Sequence, residues 1–201
     1  MIDNERALTI SGDMAAHAHK LFQSTPFQLF GEPFEEQKNQ FLELFAHINP
    51  RDFLEEEWVR DIFDFSWNVR RLRNWKVTLL NGSAYRGLEN VLAPLIGPTD
   101  AMALAHDWHV RDEAAVERVE EILASAKVLP DTAMAETFAL RSLEIERIDR
   151  LIADALAGRA AIFREIERHR STFAKQLQQR VGQIEDAEYK EVENSSGTKA
   201  T

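Results

Sequence analysis

Between residues 58 and 79, apolar side chains recur at Trp58, Ile62, Phe65, Val69, Leu72 and Leu79, with spacings of 4, 3, 4, 3 and 7. A seam of that period lies along one side of an α-helix and scatters over both faces of a strand. Val59, Phe63 and Trp67 widen it, so this helix is expected to meet neighbours on two sides. Asp52 stands where an N-cap is needed, and Glu55 three residues on completes a capping-box spacing. Asn81-Gly82 is expected to end or kink the helix.

The rest of the chain obeys the same period. Glycine and proline are scarce, at 8 and 6 of 201 residues, and they gather at a few places: Pro26 to Pro33, Pro50, Pro94 to Pro98, and Pro130. No run of five residues alternates apolar and polar between turn signals, so the fold class is all-α. Pro33 is expected to open one helix and Asn49-Pro50 to stop it. Asp100 is the expected cap of a stretch carrying Met102, Leu104 and Trp108, then Val116, Val119, Ile122 and Leu123. Asp131 or Thr132 then caps a last helix that nothing obliges to break before residue 187, about 80 Å at about 1.5 Å per residue.

That last helix carries Ile145, Ile148, Ile152, Ala155, Ile162, Ile166 and Phe173 at heptad spacing, with Arg159 and His169 on the same seam. Leu177, Val181 and Ile184 continue in a shifted frame, making an imperfect coiled-coil strip. The expected organisation is therefore an arm over residues 1–32 with one short helix from Asp13 to about Gln23, and a helical bundle over 33–130. A long amphipathic helix over 131–190 packs on the bundle and partly projects, followed by a disordered tail over 191–201. Phe27, Phe30 and Phe34 in the arm are expected to clamp it onto the bundle or onto a partner.

Two segments resemble a known family when taken together. Asp52-Phe-Leu-Glu-Glu-Glu-Trp-Val-Arg leads to Trp67-Asn-Val-Arg-Arg-Leu-Arg, and Leu143-Glu-Ile-Glu-Arg-Ile-Asp-Arg-Leu-Ile leads to Ala160-Ala-Ile-Phe-Arg-Glu-Ile-Glu-Arg-His-Arg. Their order and spacing resemble a widespread family of uncharacterised bacterial helical proteins with L-x-R-I-x-R-L and R-E-I-E-R-x-R segments near the C-terminus. The likeness spans roughly residues 34–80 and 136–171. The basic, Pro- and Gly-containing N-terminal arm of many members is missing from this chain. The resemblance implies a cytoplasmic bacterial protein and assigns no catalytic residue.

Charge and motifs narrow the function classes. Lys and Arg number 24 against 34 Asp and Glu, a net −10, which argues against broad binding to nucleic acid or an anionic membrane. With no cysteine there is no disulfide, thiolate zinc site or cysteine nucleophile, and a reducing cytoplasm is the expected compartment. The opening residues carry no apolar run of the signal-peptide kind. There is no Gly-x-Ser-x-Gly elbow, no phosphate-cradling glycine loop, and no His preceded by Glu at three residues. His106 and His109, spaced i, i+3 around Asp107, are close enough on a helix to share a metal, and a metal-dependent hydrolase around His106 and Asp107 is the lowest-ranked reading. The basic run Arg70, Arg71, Arg73 and Lys76, with Trp67 and Trp75 nearby, carries the alternative of a nucleic-acid-associated accessory protein. The preferred expectation is a non-enzymatic interaction or scaffolding protein without catalytic residue or cofactor. It self-associates or meets a helical partner through a strip of Ile162, Ile166, Phe173 and Leu177.

Overall fold

The computed structural model describes residues 12–23, 29, 31–129 and 131–196, with side chains placed between residues 14 and 183. Among these there are seven helices and no strand: α1 (Gly12–Gln23), α2 (Phe34–Ile48), α3 (Phe53–Ile96), α4 (Pro98–His109), α5 (Glu113–Ser125), α6 (Thr132–Leu140) and α7 (Ser142–Ser196). No described helix is long and apolar enough to cross a membrane.

The local rules hold at most helix ends. Pro33 is the N-cap of α2 with extended backbone, one residue earlier than the expected first-turn position. Asn49 closes α2 in the left-handed conformation, at φ 49°, and its N–H reaches the carbonyl of Phe45. Asp52 Oδ1 accepts the N–H of Glu55 at 2.9 Å, which caps α3 as its spacing requires.

Other boundaries differ from expectation, among them the start of α4, which has Gly97 as its N-cap and Pro98 as its first residue in place of the expected cap Asp100. α3 runs through Asn81-Gly82 without ending, since Gly82 is a weak helix former and not a stop, and Pro94 is carried in its last turns. The stretch from Asp100 to Leu123 is two helices: Arg111 takes φ 66°, and Asp112 starts α5 by accepting the N–H of Ala115 at 2.9 Å. The expected final helix is also two, because the chain turns at Arg141 between α6 and α7. α7 continues to Ser196, into the segment expected to be disordered; residues 197–201 lie outside the described residues, as do Pro26, Phe27, Phe30 and Pro130.

The chain divides into two compact units, residues 1–64 with 158–201, and residues 65–157. The expected division into an arm, a 33–130 bundle and a terminal helix does not follow these lines, because α3 and α7 each contribute to both units.

Unit 1 is built on aromatic packing. The ring of Phe22 on α1 lies 5.5 Å from Phe34, 5.5 Å from Phe41 and 6.1 Å from Phe63. Ala18, Phe22, Phe41, Phe45, Val59 and Ile62 are all buried, so α1 is a core element and not a loose arm. His17 Nε2 adds a 3.0 Å contact to Glu56 Oε2. Ile166 of α7 is buried in the same unit.

Unit 2 packs α3, α4, α5 and α6 around Leu88, Leu92, Ala101, Ala105, Val119, Ile122, Leu123 and Ala133. Small residues let the helices approach closely. A Cβ added at Gly87 would meet Thr137 Oγ1 and the carbonyl of Ala133 closer than any real Cβ contact. Thr137 is fully buried and satisfies its hydroxyl on that same carbonyl at 2.8 Å. Lys76 to Asp149 at 2.8 Å ties α7 to α3 within this unit, and Arg141, at the turn between α6 and α7, donates to Ser83 of α3 at 3.0 Å.

Candidate interaction surface

The N-terminal turn of α3 gathers acids: Asp52, Glu55, Glu56 and Glu57. A helix N-terminus favours negative charge, which accounts for the sequence but not for what the structure does with it. Glu55 is only 1% exposed. Its carboxylate is met by α7, where Arg170 Nε donates to Oε1 at 3.0 Å and Nη2 donates to Oε2 at 2.7 Å. The backbone N–H of Arg51 adds a 3.0 Å bond to Oε2. Arg170 Nη2 also donates to the carbonyls of Ile48 at 2.8 Å and Asn49 at 3.3 Å, the last two residues of the α2 end. One guanidinium thus holds the α2–α3 turn and the start of α3 together.

The neighbouring residue repeats the device at the surface. His169 Nε2 lies 2.7 Å from Asp52 Oδ2, and its ring stands edge-on to Trp58 at 5.4 Å. Hydrogen bonding from Arg170 holds the Glu55 carboxyl below its ordinary range despite burial, and the Glu55 N–H followed by His169 does the same for Asp52. Both groups are ionised near neutrality, and neither is left as a free acid or base. The arrangement is a clamp.

The clamp sets where α7 stops being part of a core. Ile162, Ile166 and Arg170 are followed by Phe173, Leu177 and Val181, the same 4, 4 spacing displaced by 11 residues. An 11-residue period spans three turns with almost no drift, so the two triplets lie on one face. Heptad reading splits this strip and leaves Arg170 off it; the 11-residue frame unites it. The first triplet is engaged within unit 1: Ile166 is 5% exposed, Ile162 is half-buried, and Arg170 is in the clamp. In the second triplet, Phe173 is 56%, Leu177 54% and Val181 46% exposed, and every residue from 171 to 181 is exposed. Of the expected strip, Ile166 is therefore covered by the chain itself, and the open part begins at Phe173. Phe163, off the strip, is also exposed.

The other candidate residues are placed as follows. Arg70 lies over the Trp67 ring at 4.9 Å and is exposed, as is Arg73. Arg71 donates to Asn68 at 2.8 Å, and Lys76 is paired with Asp149. The run does not form four open cations, because α7 supplies a carboxylate that sequence distance hides. His106 and His109 are exposed at the end of α4, with the His109 ring 5.3 Å from Tyr85. Among the described residues, no group of three or more His, Asp or Glu gathers closely enough to hold a metal ion.

No family model, no curated protein and no solved structure matches this chain.

Proposed function

We propose that this protein is a non-enzymatic helical interaction or scaffolding protein that self-associates through α7. The observation that carries the reading is the strip change at Arg170. Up to that residue the strip is used inside unit 1, and from Phe173 to Val181 the same face is bare. Leaving a large apolar side chain in water forgoes on the order of 1.5–3 kcal/mol relative to burial, and three in one row make a docking face. We also propose a cytoplasmic bacterial setting, on the cysteine-free composition and the two motif segments. Sedimentation velocity tests the function. The full chain is expected to run as an oligomer, and Leu177→Glu as a monomer with unchanged helix content. A monomeric full chain at tens of micromolar would sink the reading.

A second reading, nucleic-acid contact through Arg70, Arg71, Arg73 and Lys76, draws on exposed Arg70 and Arg73. It loses Lys76 to Asp149. A mobility shift with DNA or RNA at low salt that Arg70→Ala with Arg71→Ala abolishes would establish it.

A further inference from the structure

We infer that residues 1–11 of the same chain cover the bare α7 face and thereby hold self-association back. This rests on the self-association proposed above and adds its regulation.

Two helices leave unit 1 at the same end. Arg170 fixes α7 beside the α2–α3 turn; Ile166 before it is buried, and residues 171–181 after it are exposed. α1 starts at that end too. Its His17 meets Glu56 at 3.0 Å near the start of α3, and lies 6.4 Å from the Phe45 ring near the close of α2. Phe22, further along α1, meets Phe34 at the opposite end of α2. Gly12 is five residues outward of His17, about 7.5 Å, and Phe173 is three residues outward of Arg170, about 4.5 Å. The start of α1 and the start of the bare face therefore stand level within one helical turn.

The segment before Gly12 has the residues to fill the face. The buried positions of α1, Phe22 and Ala18, continue at the same spacing of four to half-buried Met14 and then to Ile10. Leu8 and Ile2 lie further along. The apolar pattern that packs α1 thus runs on in sequence past the end of unit 1, beside an α7 face that runs on past the same end. Length suffices as well. Eleven residues span at most about 36 Å, at about 3.3 Å each. Crossing the unit takes about 14 Å at most for helices roughly 8–10 Å apart, and the face from Phe173 to Val181 is about 12 Å long. A tethered segment acts at an effective concentration on the order of millimolar, so a few apolar contacts are enough to compete with a second copy.

Leu8→Asp with Ile10→Asp in the full chain tests this, since both positions precede α1. Two added carboxylates on a chain of net charge −10 oppose association, so any gain cannot come from charge. Sedimentation equilibrium should give the variant a dissociation constant about tenfold or more below that of the native sequence, because covered chains no longer have to open first. With both chains diluted until they sediment as monomers, hydrogen exchange of the 173–181 amides should be faster in the variant. Equal dissociation constants and equal exchange would overturn the cover and leave self-association standing. No association by either chain at tens of micromolar, with faster exchange in the variant, would overturn self-association and its regulation, and keep residues 1–11 as the occupant of the face.

Discussion

Arg170 holds Glu55 with two nitrogens across 115 residues of sequence, Nε to Oε1 at 3.0 Å and Nη2 to Oε2 at 2.7 Å. The pair is unequal in exposure: the carboxylate is buried and the guanidinium side chain is 29% exposed. A buried carboxylate that loses its cation keeps the desolvation cost and forfeits the compensation.

Arg170→Ala is therefore expected to destabilise unit 1 by roughly 3–5 kcal/mol, the range for breaking a buried pair from one side. Glu55→Gln is expected to cost less, since the amide is neutral and still accepts from Arg51 N–H. Urea unfolding followed by circular dichroism separates them. Equal small losses in both variants would mean that the pair is solvated and the clamp is not energetic.

The same clamp makes stability depend on acid. Glu55 and Asp52 have ordinary values of 4.5 and 3.8, and both are lowered in the folded chain. The unfolded chain binds these protons first, so stability from the two groups is fully present above about pH 4.5 and is lost as pH falls through the folded values. The urea midpoint should fall steadily below pH 4.5 in the native sequence, and less steeply in Glu55→Gln. An unchanged slope in that variant would assign the acid loss to other carboxylates.

Unit 2 offers an opposite case, where adding atoms is the harm. Gly87→Ala in an exposed helix would gain about 1 kcal/mol in helix propensity. Here the new Cβ meets Thr137 Oγ1 and the Ala133 carbonyl, and a backbone oxygen cannot rotate away. A net loss of about 1–3 kcal/mol is expected, in line with overpacking in a close-packed interior. Thr137→Ala added to it should recover only part, because the Ala133 carbonyl remains. A stabilised Gly87→Ala would show that α6 shifts freely off α3.

What was legible in the sequence divides along the range of the forces. The all-α class, the Asp52 cap and the Asn49 stop follow from neighbours within four residues, where period and capping chemistry act. The helix from Asp13 to Gln23 is legible, but its place in the core is not, because Phe22 finds Phe41 and Phe63 only through tertiary packing. The break at Arg111, where the backbone turns at φ 66°, falls in the polar stretch 111–113, and only the capping capacity of Asp112 marks it in the sequence. At the candidate surface, Phe173 and Leu177 are legible as a strip, but Glu55 is legible only as a capping residue. Nothing local says that Arg170 lies opposite it. The one usable signal was the 11-residue period, which puts an arginine on an otherwise apolar face, where it needs an anion.

That arginine also decides where α7 can be cut. A chain ending at Gly158 would leave unit 1 without Ile162 and Ile166, and Glu55 buried without Arg170. It is expected to lose the cooperative unfolding of unit 1. A chain ending at Thr172 keeps the first triplet and the clamp, and removes only the bare face. It is expected to unfold at nearly the urea midpoint of the full-length monomeric Leu177→Glu variant, and to sediment as a monomer. Circular dichroism and sedimentation on the two truncations therefore read different properties of one helix. If the chain ending at Gly158 unfolds as cooperatively as the chain ending at Thr172, residues 159–172 contribute nothing to the core, and the clamp loses its structural role.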